Sequence, residues 1–263
     1  MDFALKDKVA LVTASSKGIG RACALELARE GADVVICARG QEALGAARDE
    51  IAAETGRKVL AVTTDLSFGA QIEELITRVR DEMGGIDVLV TNAGGPPSGT
   101  FMDFDDEAWM KAVALNLMSV VRLNRAAIPM MKERGGGSIV NLTSISVKEP
   151  IKGLILSNAI RAGVVGLAKT LANEMGADNI RVNVVCPGYT ATGRMKELMS
   201  ARAERESRSY DDVAAGFYES VPLGKFAEPA DIARMVAFLS SDAAKYVTGV
   251  TVQVDGGVVR GLL

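Results

Sequence analysis

The sequence predicts one α/β domain over residues 1–263, a doubly wound, seven-stranded parallel sheet with helices on both faces. Three observations predict it. Short β-branched runs alternate with longer amphipathic stretches along the chain. The runs are apolar almost throughout, which is typical of parallel strands covered on both faces. The chain has 263 residues with no linker or internal repeat, a length common for a single α/β unit.

Seven apolar runs predict the strands of this sheet. In chain order they are residues 8–13, 33–38, 59–65, 87–92, 138–143, 181–186 and 250–255. The stretches between them have helical spacing. In the first stretch Ile19, Cys23 and Leu27 share one face, and Gly31 marks the end of the helix. Right-handed crossovers through such helices place all seven strands in one sheet.

Residues 193–226 interrupt this alternation, because the segment is charged, favours helix and is not followed directly by a strand. Two interpretations stay open. The segment is either a solvated pair of surface helices or a mobile lid, since open α/β sheets bind ligands beyond the carboxyl ends of their strands. As a lid, it would offer a substrate the following apolar side chains: Met195, Leu198, Met199, Phe217 and Tyr218.

The composition excludes several classes of function. Lys and Arg number 30 against 33 Asp and Glu, so no basic surplus indicates a nucleic-acid or membrane partner. The absence of histidine removes the Ser-His triad and most zinc sites, and no metal site is predicted. The apolar run VALNLMSVV is too short to span a bilayer, and the first residues show no secretory signal pattern.

The cysteines indicate a reducing compartment. Cys23, Cys37 and Cys186 are odd in number and lie inside apolar segments. We therefore expect buried, reduced thiols in a cytoplasmic protein rather than a disulfide framework.

A nucleotide site is predicted near the amino terminus. The first strand, a glycine-containing turn, a helix and the second strand follow one another within about 30 residues, as in a mononucleotide-binding unit. Gly18 and Gly20 would let the backbone approach a pyrophosphate. The free N–H groups of the following helix would then meet its negative charge.

At these residues the sequence resembles the short-chain dehydrogenase/reductase family, in its classical branch near the 3-oxoacyl-acyl-carrier-protein reductases. The matching motifs are TASSKGIG (13–20), DLS (65–67), NAG (92–94), NLTSIS (141–146), PGYTAT (187–192) and VDGG (254–257). In the first motif Ala14 replaces the family's first glycine, so we expect a slightly altered turn. The resemblance covers essentially the whole chain and implies a Rossmann fold.

The resemblance also implies a set of cofactor-binding residues. They are Ser15, Ser16, Lys17, Gly18, Ile19, Gly20, Arg39, Asp65, Leu66, Asn92, Ala93, Gly94, Arg161, Pro187, Gly188 and Thr190.

The end of the second strand bears on the choice of cofactor. An acidic residue there would bind the ribose hydroxyls of NAD(H), but this chain has Ala38 followed by Arg39, and Lys17 lies in the glycine turn. Two cations favour a 2′-phosphate, so we expect NADP(H) rather than NAD(H). The alternative is that both are merely solvated surface charges.

The catalytic positions depart from the family pattern. In the family a serine holds the substrate oxygen, a tyrosine delivers the proton, a lysine four residues later lowers the tyrosine pKa and binds the ribose, and an asparagine holds a relay water. The resemblance places Asn116 and Ser144 at the asparagine and serine positions. Counting 13 residues onward gives Ser157 at the tyrosine position, and the run AGVVGLAKTLA fixes the same register. The lysine position is therefore Arg161.

These substitutions remove the usual proton donor. Arg161 keeps a positive charge for ribose binding, but the hydroxyl of Ser157 is much less acidic than a phenol. Other candidate donors are Lys148, Glu149 and Lys152 in the preceding loop and Tyr189 beside the expected nicotinamide. The simpler interpretation makes these residues solvated loop charges and a pocket wall. Tyr210 and Tyr218 are weaker candidates still.

Two functions therefore stay open. The first is an NADP(H)-dependent oxidoreductase that reduces a small or acyl-type carbonyl, or oxidises an alcohol, through a divergent proton relay. The second is an NADP(H)-binding pseudoenzyme that acts as a sensor or partner subunit. The resemblance further implies a homotetramer, formed through long helices whose apolar residues include Val120, Val121, Val165 and Leu167.

Overall fold

The computed structural model describes residues 3–262, and its framework is one sheet of seven parallel strands in the order β3-β2-β1-β4-β5-β6-β7. The strands are β1 (Val9–Val12), β2 (Asp33–Ala38), β3 (Val59–Thr63), β4 (Val88–Thr91), β5 (Gly137–Leu142), β6 (Ile180–Pro187) and β7 (Thr251–Val254). The predicted seven-stranded parallel sheet is confirmed, and strand ends differ from the prediction by one or two residues.

Nine α-helices accompany the sheet within residues 3–262. They are α1 (Gly18–Arg29), α2 (Gln41–Thr55), α3 (Gly69–Met83), α4 (Asp106–Val113), α5 (Ser119–Glu133), α6 (Ile155–Glu174), α7 (Gly193–Glu206), α8 (Tyr210–Glu219) and α9 (Pro229–Ser240). A π-helical turn, Ala114–Met118, joins α4 to α5.

The sheet separates two apolar cores. Helices α3, α5 and α6 cover one face, and α1, α2 and α9 cover the other. Side chains of β1 alternate between them: Leu11 packs into the first core, and Ala10 and Val12 into the second. Both faces are buried, and for this reason the strands are apolar at nearly every position.

The direction of strand progression reverses between β1 and β4, which places a crevice at the carboxyl edge of the sheet. β1 pairs with β2 on one side and with β4 on the other, so the loops that follow β1 and β4 diverge. A hydroxyl joins the two loops where they begin. Thr13 Oγ1 donates to the carbonyl of Asn92 over 2.7 Å and accepts from its N–H over 2.8 Å.

Helices α7 and α8 form a small layer with its own apolar cluster beyond the carboxyl end of β6. The cluster contains Met195, Met199, Ala203, Val213, Phe217, Val221 and Phe226. These buried side chains show that the segment is not merely a solvated helix pair. Its motion as a lid stays a prediction.

Helix α6 is long and apolar enough, by length and composition, to cross a membrane. One such helix is weak evidence, because core helices of water-soluble domains pass the same test. Here α6 packs against the sheet through Ala168 and Ala172. The three cysteines are buried and unpaired, as expected. Within residues 3–262, no group of three or more Cys, Asp or Glu side chains is arranged to hold a metal ion.

Candidate active site

A cleft of about 590 Å³ opens at the carboxyl edge of the sheet. It runs from the turn after β1, past the ends of β4 and β5, to α6 and the first turn of α7. Most of the predicted cofactor residues line it, together with Ser144, Ser157 and Arg161. A second depression, of about 570 Å³ beside α2 and β3, contains none of the predicted site residues.

The glycine turn fixes the outer end of the cleft through close backbone packing. Gly18 adopts a left-handed φ of +59°, and Gly20 leaves no room for a side chain. A Cβ atom at Gly20 would overlap the carbonyl oxygen of Ala14 and lie 2.8 Å from Asn92 Nδ2. The same amide donates to the Ala14 carbonyl over 3.1 Å. The turn after β1 and the loop after β4 are therefore held together at this point.

Ala14 itself has a φ of +47°, in the left-handed region that favours glycine. The expected alteration of the turn is therefore backbone strain at Ala14. The turn still lies beside Asn92, because the Asn92 amide donates to the Ala14 carbonyl.

Ser15 supports the turn from below and does not line the cleft. It is fully buried, its hydroxyl donates to the Val12 carbonyl over 2.7 Å, and it accepts from the Cys37 N–H over 3.1 Å. Gly20 and Asn116 also lie behind the lining residues. Ser16, Lys17, Gly18 and Ile19 do face the cleft.

Two exposed cations flank the outer end of the cleft. Lys17 precedes α1, Arg39 follows β2, and both line the cleft near Asp65. Neither forms an ion pair with a carboxylate of residues 3–262, although many surface cations of this chain do, for example Arg29 with Glu54. Unpaired cations beside a helix amino terminus suit a phosphate group.

Three serines lie close together beyond the end of β5. Ser144 ends the loop after β5, and its Oγ accepts from the N–H of Ser146 over 3.1 Å. The Oγ of Ser146 lies 3.3 Å from the Oγ of Ser157 in the first turn of α6. The structure thus brings Ser144 and Ser157 to the same part of the cleft, as the resemblance implied.

Arg161 is a buried cation one turn after Ser157. It is 8% exposed, and its guanidinium donates to the carbonyls of Leu142, Thr143 and Ala93 over 3.2–3.4 Å. Burial, with a smaller contribution from the nearby positive charge of Arg194, lowers the pKa of Arg161 to about 10. Since a guanidinium has five N–H groups, three hydrogen bonds leave donors available for a ligand in the cleft.

Asn116 lies in the π-helical turn between α4 and α5. Its Nδ2 donates to the carbonyl of Gly94 over 2.9 Å, and its buried Oδ1 has no partner within residues 3–262. A buried acceptor without a partner costs free energy, so this oxygen is suited to accept from a water molecule or a ligand.

The other candidate proton donors do not line the cleft. Lys148, Glu149 and Lys152 lie in the loop before α6 but outside the lining residues. Tyr189 packs edge-on against Phe217, with ring centroids 4.8 Å apart, and burial raises its pKa. Its aromatic contacts anchor the small layer formed by α7 and α8.

The aromatic side chains of the layer formed by α7 and α8 do not lie where the lid interpretation placed them. Phe217 is buried in the layer's own cluster, and Tyr218 stacks on Phe226 with centroids 4.2 Å apart. Neither lines the cleft, whereas Met195 and Leu198 do. Tyr210 and Tyr218 are partly exposed and also lie outside it. The apolar wall is thus smaller than the sequence suggested.

Sequence reasoning missed Arg194, which lines the cleft from the first turn of α7. Its Nη2 donates to the carbonyl of Pro96 over 2.6 Å. Its position two residues after the PGYTAT motif was the available signal, but the residue lay inside a segment interpreted either as a solvated helix pair or as a lid.

Comparison with known proteins identifies relatives along almost the whole chain. The family model described as "Enoyl-(Acyl carrier protein) reductase" matches residues 13–259. The 3-oxoacyl-[acyl-carrier-protein] reductase of Haemophilus influenzae is 38% identical over 254 residues, which cover 97% of this chain and 99% of the relative. "Dehydrogenase/reductase SDR family member 4" of Oryctolagus cuniculus is 37% identical, with coverage of 96% and 94%.

Solved structures give the same result. L-sorbose reductase from Gluconobacter frateurii, complexed with NADPH and L-sorbose, superposes with a TM-score of 0.94 at 34% identity and covers both chains completely. An actinorhodin polyketide ketoreductase with NADPH superposes with a TM-score of 0.92 at 34% identity, covering 97% of this chain and 98% of the neighbour.

Proposed function

The chain belongs to the short-chain dehydrogenase/reductase family, and on that premise we propose that it is an NADP(H)-dependent oxidoreductase that interconverts a carbonyl and an alcohol. One observation carries the proposal. A single cleft holds a phosphate-compatible turn at one end and the hydroxyls of Ser144 and Ser157, with Arg161, at the other. The curated relatives include 3-oxoacyl reductases, so an acyl-type carbonyl is one candidate substrate.

The residues at the outer end fit NADP(H). Gly18 and Gly20 keep side chains out of the turn, α1 begins there without a side-chain cap, and Lys17 and Arg39 have no carboxylate partner within residues 3–262. When bound, the cofactor would supply or accept a hydride. The NADPH complexes of L-sorbose reductase and the polyketide ketoreductase support this assignment.

The chain's own residues would act on the substrate oxygen. We place the hydroxyls of Ser144 and Ser157 as hydrogen-bond donors to that oxygen. The charge of Arg161, one turn along α6 from Ser157, would stabilise negative charge that develops there. Ser146 lies 3.3 Å from the Ser157 hydroxyl and can return a hydrogen bond to it. In reduction, the proton added to that oxygen would come from water and be relayed by the Ser157 hydroxyl, which would take up one proton as it gives up another; no phenol would be involved.

One observation favours the second candidate, a cofactor-binding protein with little turnover. Among residues 3–262, no tyrosine lines the cleft, although positioned acid catalysis typically contributes about 10²- to 10⁴-fold in rate. Both candidate functions use the same cofactor site, and they differ in whether the protein turns over a substrate.

The cofactor assignment is tested by calorimetric titration with NADP⁺ and NAD⁺. We expect NADP⁺ to bind at least about tenfold more tightly, because hydrogen bonds to charged groups contribute about 1.5–3 kcal/mol each. The double variant Lys17→Gln/Arg39→Gln should lose that preference and keep its NAD⁺ affinity. A preference for NAD⁺ that the double change does not alter would overturn the assignment.

The two functions are separated by Ser157→Tyr combined with Arg161→Lys, which restores the family's usual pair. If the native protein is an enzyme with its own relay, ketone reduction is measurable before the change and falls after it. If it is a pseudoenzyme, reduction is absent before the change and appears after it. Far-ultraviolet circular dichroism and thermal denaturation, measured in parallel, show that each variant is folded.

Self-association and location are further parts of the proposal. We propose a homotetramer in the cytoplasm, formed through α5 and α6. Val120 packs inside the protein, whereas Val121, Val165 and Leu167 are partly exposed on these helices. Light scattering coupled to size exclusion would test it, and a monomer at micromolar concentration would contradict it.

A further inference from the structure

Two arginines converge on the substrate end of the cleft, where no acidic side chain of residues 3–262 lines it. The acidic residue among the lining residues is Asp65, at the opposite end beside Leu66. Arg161 is buried, and its hydrogen bonds all go to backbone carbonyls. Its positive charge therefore has no counter-charge within the described chain.

Arg194 approaches the same point from α7. Its Nη2 bonds the carbonyl of Pro96, and its guanidinium packs against Gly95, whereas Arg161 bonds the carbonyl of Ala93. Both guanidinium groups therefore contact the loop of residues 93–96. The acidic partner of Arg194 is the exposed Glu197, whose Oε2 lies 3.5 Å from Arg194 Nη1.

This arrangement is unfavourable in the absence of a ligand. Removing a charge from water costs free energy that a buried carboxylate normally offsets, and a second like charge nearby raises the cost. Burial, and to a smaller extent the nearby positive charge of Arg194, lower the pKa of Arg161. An anion in the cleft that both guanidinium groups bind would offset both the cost of burial and the repulsion.

We propose that Arg161 and Arg194 form an oxyanion subsite, and that the carbonyl substrate of this protein carries a carboxylate. The proposal rests on the proposed function and names the substrate class for the same site. Guanidinium groups match the planar geometry of a carboxylate, and their fixed donors favour paired hydrogen bonds. Leu154, Met195 and Leu198 line the cleft beside them and suit a short carbon chain. The substrate class is therefore a small oxo acid or the corresponding hydroxy acid.

The cofactor's pyrophosphate is a second source of oxyanions in this cleft. The glycine turn, the start of α1 and Lys17 already form a site of suitable chemistry for it at the outer end. Measuring cofactor and carboxylate binding separately distinguishes the two sources.

The test is calorimetric titration of a complex that cannot turn over. The protein is saturated with NADP⁺ and titrated with acetoacetate or 3-oxohexanoate, and in parallel with their uncharged amides. Oxo acids and NADP⁺ are both oxidised, so only binding is measured. We expect each acid to bind at least about tenfold more tightly than its amide. Arg194→Gln should remove that preference and leave the NADP⁺ affinity within about twofold.

The matched control is Lys196→Gln, which removes the same charge from the same turn of α7. Lys196 is exposed and does not line the cleft, so this variant should keep the preference for the acid. Equal binding of acid and amide in both pairs, or no binding of either, would overturn the subsite. A loss of NADP⁺ affinity in Arg194→Gln without loss of acid preference would assign Arg194 to the cofactor. Failure of NADP⁺ to bind the native protein would instead contradict the proposed function.

Discussion

The glycine-turn end of the cleft is built from backbone packing and exposed cations, whereas the α6 end is built from buried hydroxyls and arginines. At the first end Gly20 lies against the Ala14 carbonyl, and Lys17 and Arg39 remain in solvent. At the second end Ser157 and Arg161 are buried and held by neighbouring groups.

This difference explains why the two ends tolerate sequence change differently. Backbone approach requires a particular residue size, so a glycine there has no substitute without displacement of the turn. A side-chain site can change its chemistry while the helix that carries it keeps its packing. Helix α6 still packs through Ala168 and Ala172 although the residues at its start have departed from the family pattern.

The largest expected effect tests whether Tyr189 belongs to the packing or to the chemistry. Tyr189→Ala removes a ring that contacts Phe217 and Phe226, and should lower the free energy of unfolding by about 2–4 kcal/mol in urea denaturation. Tyr189→Phe keeps the ring and should leave the turnover rate within about twofold. A loss of about 10²-fold or more in Tyr189→Phe would instead identify the phenol as the proton donor.

The next effect tests the backbone character of the glycine-turn end. Gly20→Ala forces a Cβ atom into the Ala14 carbonyl, so we expect a loss of about 1–3 kcal/mol in stability and a weaker NADP⁺ affinity by calorimetry. Gly45→Ala in α2 is the control, because nothing lies within 4 Å of that Cβ position. It should stabilise the protein by about 0.5–1 kcal/mol. Equal effects of the two changes would contradict the close approach at Gly20.

The smallest effect concerns the strained alanine of the turn. Ala14 has a φ of +47°, a conformation that costs an alanine about 1–2 kcal/mol. Glycine adopts it without that cost, but the greater freedom of glycine in the unfolded chain offsets part of the gain in stability. Ala14→Gly should therefore raise stability by about 0.5–1 kcal/mol in thermal denaturation. Ala46→Gly, at an exposed position of α2, should lower it by about 1 kcal/mol. Destabilisation by both changes would exclude strain at Ala14.

Much of the site followed from the sequence because local motifs mark the ends of parallel strands. The segments at Gly18, Asn92, Ser144 and Pro187 all line one cleft, and these are the motifs through which the resemblance implied the site. Ser15 is different, since its hydroxyl bonds backbone groups of β1 and β2 beneath the turn. Whether a polar side chain faces a ligand or supports a turn depends on its rotamer and on the local backbone, and a sequence motif specifies neither.

The layer formed by α7 and α8 was the least predictable part. Its helical character was evident from the sequence. In the structure, however, Phe217 and Tyr218 pack outside the cleft, and Arg194 lines it. Amphipathic patterns show that a helix has an apolar face, but the neighbour that this face meets depends on the path of the chain around it.

The sequence by itself determined the doubly wound sheet, the glycine turn and the departure from the family pattern at Ser157 and Arg161, because these depend on local periodicity, residue size and register. The tertiary structure alone decided that Arg161 and Arg194, 33 positions apart, contact the same loop of residues 93–96. Electrostatic interaction depends on distance and burial, and both are properties of the folded chain.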